Sequence, residues 1–292
     1  MTSPLRIGFV PEHFSTPLYF AQKHFGLDAT LIPFPSGTGH MITAIQAGEI
    51  DVAIGLTEGW VAGLGKGDIE GDGGYRIVGT YVDSPLCWAV STGAQRNDIQ
   101  SIADLKDSKI GVSRIGSGSY VMGIVLADQQ GWLTPGAAPF TFTPLQTFAK
   151  LREGVNDKTV DFFMWEHFTS KRYYDNGEIK RVGDIYTPWS SWLIVASTSI
   201  GEADERLQGL FEKLDKGVKH FLENEEEAVK YIYTSLDYSE DDAREWLKTV
   251  KFTNGIKGAD EELVRKVRDT LLKAEVVEER GLKAQEMVAI KK

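Results

Sequence analysis

Apolar positions along the chain fall into short runs and helical stripes that alternate. Arg6–Val10 is an apolar run that stops at Pro11. Thr16–His24 follows with helical spacing, Leu18, Ala21 and Phe25 on one side, and ends at Gly26. Ala29–Phe34 reads as a strand, Pro35 to Gly39 as a turn, and Met41–Ala47 as a helix with Ile42 and Ile45 on one face, closed by Gly48. Asp51–Gly55 is the next strand. The order β-α-β-α-β requires a mostly parallel sheet, because each strand returns through a helical crossover.

A second unit repeats the theme. Ser101 to Asp104 has the form of a capping box with Asp in the Glu or Gln place. Lys109–Ser113 predicts a strand, Ser117–Gln130 a helix ended by Gly131, Leu145–Arg152 a helix ended by Gly154, and Val160–Trp165 and Trp192–Ser197 two more strands. From Glu202 the pattern is helical almost to the end, with Leu207, Leu210, Phe211, Leu214, Val218, Phe221 and Leu222 as one stripe. Glu223–Glu227 and Glu240–Asp242 suit solvated helix starts, where carboxylates meet the positive end of the helix dipole. The two units echo one another: helix, Gly turn, Asp51, strand, Glu58 in the first; helix, Gly154, Asp161, strand, Glu166 in the second. Each glutamate stands past the C-terminal end of a strand, the edge where open α/β sheets bind ligands.

Length and charge narrow the class. The 292 residues are enough for two modest cores, and a net charge of -10 argues against nucleic acid and anionic membrane as partners. No apolar stretch approaches the ~18 residues a membrane span needs. Met1–Pro4 leads straight into the first strand with no basic region or apolar leader, which predicts a cytoplasmic protein. The single Cys87 excludes an internal disulfide and reads as a small buried hydrophobe.

Several motifs fail on one residue. Gly63–Gly67 has Gly67 where a phosphate loop needs Ser or Thr. Asp68–Gly73 starts like a calcium loop but has Gly79 at position twelve. Gly111–Ile115 lacks the last glycine of a nucleophile elbow. With no His-Glu-x-x-His and no cysteine cluster, neither a metal nor a cofactor is expected.

Three segments together resemble the type II periplasmic-binding-protein fold, in the branch of sulfonate, nitrate and thiamine-precursor binding proteins. They are Leu5–Val10 with Pro11-Glu12-His13; Ser36–Gly39 before Met41–Ile54; and Ser101–Lys106, Lys109–Arg114 and Gly116–Ser119. The likeness spans residues 5 to 200, and Trp165-Glu166-His167 is similar to a motif of a signal-less fungal and bacterial group of this fold. It implies two lobes, residues 1–86 plus 188–292 and residues 87–187, each a mostly parallel sheet flanked by helices. They would be joined by a two-strand hinge at Ser84-Pro85-Leu86 and Thr187-Pro188-Trp189. Fungal thiamine-pyrimidine synthases share the fold but use a cysteine-rich motif, which one cysteine does not supply.

The residues expected to meet a small ligand follow. Gly116, Ser117, Gly118, Ser119 and Tyr120 open a helix whose N–H groups suit an anion, with Arg114 beside them. Ser36, Gly37, Thr38 and Gly39 offer the same chemistry in the other lobe. Glu12 and His13, Thr57 and Glu58, and Trp165, Glu166 and His167 each follow or end a strand, and Trp189 sits in the second crossing. Glutamates there suit a cationic or N–H-rich group and the aromatic rings a flat one. Each has a plainer alternative: N-cap, strand end or core packing. His40 is a further polar candidate, while His24 and His220 read as surface helix residues.

Two functions stay open at this level. One is a binding protein like the solute-binding component of an ABC transporter, taking a small polar or heteroaromatic metabolite that resembles a thiamine precursor or a sulfonate or bears an amino group. The other is a cytosolic enzyme on the same scaffold, performing lyase or ring-rearrangement chemistry with His13, Glu58, Glu166 or His167 as base.

Overall fold

The first apolar runs become Leu5–Phe9 (β1), Ala29–Pro33 (β2) and Val52–Leu56 (β3), separated by Thr16–Phe25 (α1) and Thr38–Gln46 (α2). Thr57–Leu64 (α3) and Tyr75–Val82 (β4) follow. Next come Cys87–Gly93 (β5), Lys109–Val112 (β6), Gly118–Gln129 (α4), Thr141–Pro144 (β7) and Phe148–Asn156 (α5). Phe162–Glu166 (β8), His167–Asp175 (α6), Ile179–Tyr186 (β9) and Trp192–Ser197 (β10) complete the strands. Glu205–Glu223 (α7), Glu225–Ser235 (α8), Glu240–Leu247 (α9), Glu261–Lys273 (α10) and Ala284–Met287 (α11) end the chain. The structure, a computed structural model, describes residues 3–67, 71–134 and 136–292. Asp68, Ile69 and Glu70 of the calcium-like loop therefore lie outside the described residues.

The chain divides into two units. Met1–Ser84, Trp189–Asp269 and Val277–Lys292 make the first; Pro85–Pro188 and Thr270–Val276 make the second. The first holds a five-stranded sheet in the order β2-β1-β3-β10-β4, the second one in the order β7-β6-β8-β5-β9. In each, four strands run one way and one runs against them: β10 is antiparallel to β3 and β4, and β5 to β8 and β9. The reversed strand is each time the one that follows a passage from the other unit. The sheets are mixed, with the mostly parallel direction that the sequence predicts.

Strand burial follows position. β3 and β10 are central and almost wholly buried, which suits their continuous apolar sequences. β2 and β7 are edge strands, half exposed, and each ends in proline, at Pro33 and Pro144. The other edge of the first sheet, β4, is covered by the C-terminal tail, which bridges Ile77 to Val288, Gly79 to Gly258 and Val82 to Phe252.

The helix ends show where local signals hold. Gly26 takes a left-handed φ of 64° after α1, as a helix stop requires. Ser101 and Asp104 form the expected capping box. Gly154 does not end its helix; α5 runs on to Asn156, and Lys158 makes the left-handed turn at φ 66°. The glycine is needed inside the helix, because a Cβ there would sit 2.7 Å from Leu145 Cδ1. Leu222 leaves the predicted stripe of α7 and is 58% exposed, whereas the other six members are buried. Strands β4, β5, β7 and β9 go unread in the sequence, and α3 and α6 begin where loops are expected, at Thr57 and His167.

α7 packs on α1 through Gly217, where a Cβ would meet Pro17 O at 2.2 Å and Ala21 N at 3.0 Å. Gly217→Ala therefore separates two effects. Helix propensity alone favours alanine by about 1 kcal/mol. Overpacking against backbone opposes it by about 2 kcal/mol. The expected outcome is net destabilisation, read as a lower urea midpoint with an unchanged slope; a higher midpoint would show that α1 and α7 are not held this close.

Candidate ligand-binding site

Within the first unit, the candidates gather at the C-terminal ends of the parallel strands. α3 starts directly after β3, so Thr57 and Glu58 form its first turn. The Thr57 hydroxyl donates to Ser190 O at 2.6 Å and the Thr57 N–H to Ser191 O at 3.0 Å. The returning segment is thereby tied to the start of the helix. Trp189, in that segment, donates its indole N–H to Glu58 Oε2 at 3.0 Å. Glu58 is completely buried, and among the described residues its Oε1 has no hydrogen-bond partner. Burial pushes the carboxyl up to about 7, against the opposing pull of the backbone N–H and the Trp189 donor.

The Ser36–Gly39 turn does structural work as well. Gly37 caps α2 at φ 76°, a conformation that favours glycine. The Thr38 hydroxyl accepts the Leu56 N–H at 2.9 Å, joining the start of α2 to the end of β3. Gly55 and Gly59 let that threonine in, since a Cβ on either would lie 2.8 Å from it. Ser36 and Gly39 are half-buried and His40 is exposed. Glu12, half-buried, precedes a short 3-10 turn at His13–Ser15.

His13 stands apart from these residues. Its ring is fully buried, 4.5 Å from Tyr238 and 4.2 Å from Trp246, in an aromatic cluster with Phe14. Burial holds its pKa well below the ordinary value, so the imidazole is neutral. The ring therefore sits in core packing, where the chain turns inward after β1. His24 and His220, read as surface residues, both contact Glu227, at 2.9 and 2.8 Å.

In the second unit, the loop from Arg114 to Tyr120 is knit internally. The Ser117 hydroxyl donates to Arg114 O at 2.7 Å and caps α4 by accepting the Tyr120 N–H. The Ser119 hydroxyl accepts the Ser113 N–H at 3.1 Å. Gly116 turns the chain at φ 79°. The hydroxyls thus serve the loop, and the donors suited to an anion are the N–H groups of Gly118 and Ser119, which no earlier helical turn can engage. Arg114 is half-buried, and desolvation lowers its pKa. Tyr120 packs against Phe142 at 4.4 Å.

The Trp165-Glu166-His167 triplet divides three ways. Trp165 is half-buried and stacks on Phe148 at 5.1 Å, against a core of Leu151, Val155, Val160, Phe163 and Ile179. Glu166 is the N-cap of α6, accepting the Thr169 N–H at 2.6 Å, and burial raises its pKa. His167 Nδ1 lies 3.6 Å from Asp184 Oδ1. Asp184 escapes the sequence reading because β9 does, and Cys87, read there as a small buried hydrophobe, is brought near it by β5. The apolar run Leu86–Val90 was the available signal for β5. Cys87 is half-buried, and burial pushes its thiol up to about 12 against the pull of the Tyr186 hydroxyl.

Comparison with solved structures fixes the class. The alkanesulfonate-binding protein SsuA from Xanthomonas axonopodis pv. citri, bound to MOPS, superposes with a TM-score of 0.76 at 16% identity, over 98% of either chain. The periplasmic nitrate-binding protein NrtA from Synechocystis PCC 6803 gives 0.73 at 12% identity, over 95% of this chain and 83% of its own. At such identities the likeness shows the periplasmic-binding-protein fold. The Candida albicans CA3427 gene product, described as defining a new family with that generic fold, is 42% identical over 95% of this chain and 92% of its own, with a TM-score of 0.85. Residues 88–185 also match the Ca3427-like periplasmic-binding-protein family. The chain belongs to the Ca3427-like family. A search of the curated proteins finds no match. Among the described residues no helix is long and apolar enough to cross a membrane.

Glu58 gives this site a measurable signature. Its folded-state pKa of about 7 lies above the ordinary value of 4.5, so the folded chain holds the proton to higher pH than the unfolded chain. Its contribution to stability is therefore present below 4.5 and lost as pH rises to about 7. Relative to Glu58→Gln, the native chain should lose on the order of 3 kcal/mol across that window. Denaturant midpoints of the two proteins measured through the window check this; parallel curves would show that Glu58 titrates normally.

Proposed function

We propose that this chain binds one small organic molecule, closing its two lobes, residues 1–86 plus 188–292 and 87–187, over it without changing it. The observation that carries the reading is Glu58, a buried carboxylate at the C-terminal end of a central strand whose Oε1 has no hydrogen-bond partner among the described residues. Burying such an atom costs about 1 to 3 kcal/mol unless a ligand donor satisfies it. Arg114 and the first N–H groups of α4 suit an anionic group, and Trp165 a flat one. The ligand is then a compact metabolite with an amine or amidine-like donor and an acidic or heteroaromatic part. An amino-sulfonate or an aminopyrimidine has this character, and the fold shared with an alkanesulfonate-binding protein supports the first. A cytoplasmic location is part of the reading, supported by the single thiol.

One observation favours the enzymatic alternative: a carboxyl near 7 in a dry site is tuned for general-base catalysis. The same experiment separates the two. Native mass spectrometry of the full chain should show a retained compound, released with unchanged mass, whose return raises Tm. Glu58→Gln and Arg114→Ala should each weaken that binding about tenfold or more, the loss of a charged hydrogen bond. A chain that retains nothing, and whose Tm ignores both amino-sulfonates and aminopyrimidines, refutes the proposal. Conversion of the compound replaces binding by catalysis.

A further inference from the structure

Three metal-capable side chains, distant in sequence, meet within the second unit. Cys87 opens β5, Asp184 lies on β9, and His167 begins α6 immediately after β8. β5 runs between the other two strands, with Cys87 opposite Tyr186, Trp88 opposite Glu166, and Ala89 opposite Asp184. That register puts Cys87 and Asp184 diagonal to each other on one face, with His167 at the same end of the sheet. The sulfur, an imidazole nitrogen and a carboxylate oxygen all lie within 4.8 Å of one another.

The local hydrogen bonding leaves His167 Nδ1 and Asp184 Oδ1 to one another, while the Cys87 thiol meets the Tyr186 hydroxyl. His167 Nδ1 and Asp184 Oδ1 face each other at 3.6 Å, beyond hydrogen-bond length. Both atoms are buried, and neither has a hydrogen-bond partner among the described residues. The second Asp184 oxygen is engaged by Arg181, which leaves Oδ1 turned to the histidine. A tetrahedral zinc ion with bonds of about 2.0 to 2.3 Å holds its ligand atoms roughly 3.3 to 3.7 Å apart. The His167–Asp184 spacing is already in that range, and the thiol lies within 4.8 Å of both partners.

We propose that Cys87, His167 and Asp184 form a three-ligand site for a borderline divalent cation, Zn2+ foremost, with a fourth position open to an outside donor. A thiolate and an imidazole prefer such an ion to Mg2+ or Ca2+, which favour oxygen. Three protein ligands plus one open position are the pattern of zinc sites that act on or hold a ligand. The other cluster of this kind among the described residues, His24, His220 and Glu227, is a poorer candidate. Both Glu227 oxygens there already accept histidine nitrogens, at 2.9 and 2.8 Å, and Lys23 adds its ammonium at 2.8 Å. The proposal lies wholly in the second unit and does not depend on the organic-ligand reading, so either can fail alone.

The test exploits the fact that the chain has one cysteine. Any thiol signal from the reduced, full-length protein reports this site. Titration with Co2+ should give one equivalent of sulfur-to-cobalt charge-transfer absorption, and stoichiometric Zn2+ should displace it and slow alkylation of the thiol at least tenfold. Asp184→Asn and His167→Gln should each weaken this protection about tenfold or more, since even a supporting partner at a metal site is worth that much. Glu227→Gln should leave it unchanged. The proposal is overturned if the native chain shows no charge-transfer band and unprotected alkylation, or if the protection follows Glu227 instead. The native-chain spectrum stands even where a variant fails to fold.

Discussion

In each unit one aspartate fixes the register on which the site depends. Asp51 Oδ2 accepts the backbone N–H of Arg6 at 2.8 Å, while the Asp51 N–H donates to Arg6 O at 2.9 Å. Asp161 does the same to Lys109, at 2.8 Å in both directions. Arginine completes each clamp: Arg6 grips Asp51 with two side-chain nitrogens, and Arg96 reaches Asp161. The Arg6 hydrogen bonds hold the Asp51 carboxyl below its usual range although burial pushes the other way. A slip of one residue would turn every side chain of β3 or β8 to the opposite face. The aspartate stands at the start of the strand, and Glu58 or Glu166 at its far end, so the clamp also sets where those glutamates emerge.

The reversed strand explains why the two far ends look alike. β10 and β5 each lie beside the clamped strand, and each brings a passage segment with it. In the first unit that segment supplies Trp189 to Glu58, and Ser191 donates to Ser84 O at 2.7 Å. In the second, Thr187 accepts the Leu86 N–H at 2.9 Å and returns its own N–H to Leu86 O. Outgoing and returning chains are thus stitched together beside each sheet. Glu58 in one unit, and His167 with Asp184 in the other, each carry a buried polar atom without a hydrogen-bond partner among the described residues, and they stand next to these stitches.

Legibility varied with how local each signal is. The runs Arg6–Val10, Asp51–Gly55 and Trp192–Ser197 were readable because central strands of these sheets are apolar on both faces. Gly26 and the Ser101 box were readable because a helix end is decided within a few residues. β9 was not, since Ile179–Tyr186 mixes Lys, Arg and Asp with apolar residues and owes its strand form to pairing with β5. Gly154 misled, because a glycine can mark a helix end or a close contact, and only Leu145 beside it distinguishes the two. At the site, the positions Glu58 and Glu166 were visible as strand ends. Their states were not, because a carboxyl shifts only once its surroundings exclude water.

The sequence by itself determined the β-α-β order, the family likeness over residues 5 to 200, the negative net charge and the helix ends at Gly26 and Ser101. All of these are properties of neighbours along the chain or of simple sums. The tertiary structure alone decided which strands pair, that His13 lies in an aromatic core, that Trp189 reaches Glu58 across 131 residues, and that Cys87, His167 and Asp184 meet. The reason is physical: such contacts join segments whose separation along the chain carries no periodic signal, and they exist only when buried apolar faces have fixed the register of the strands that bear them.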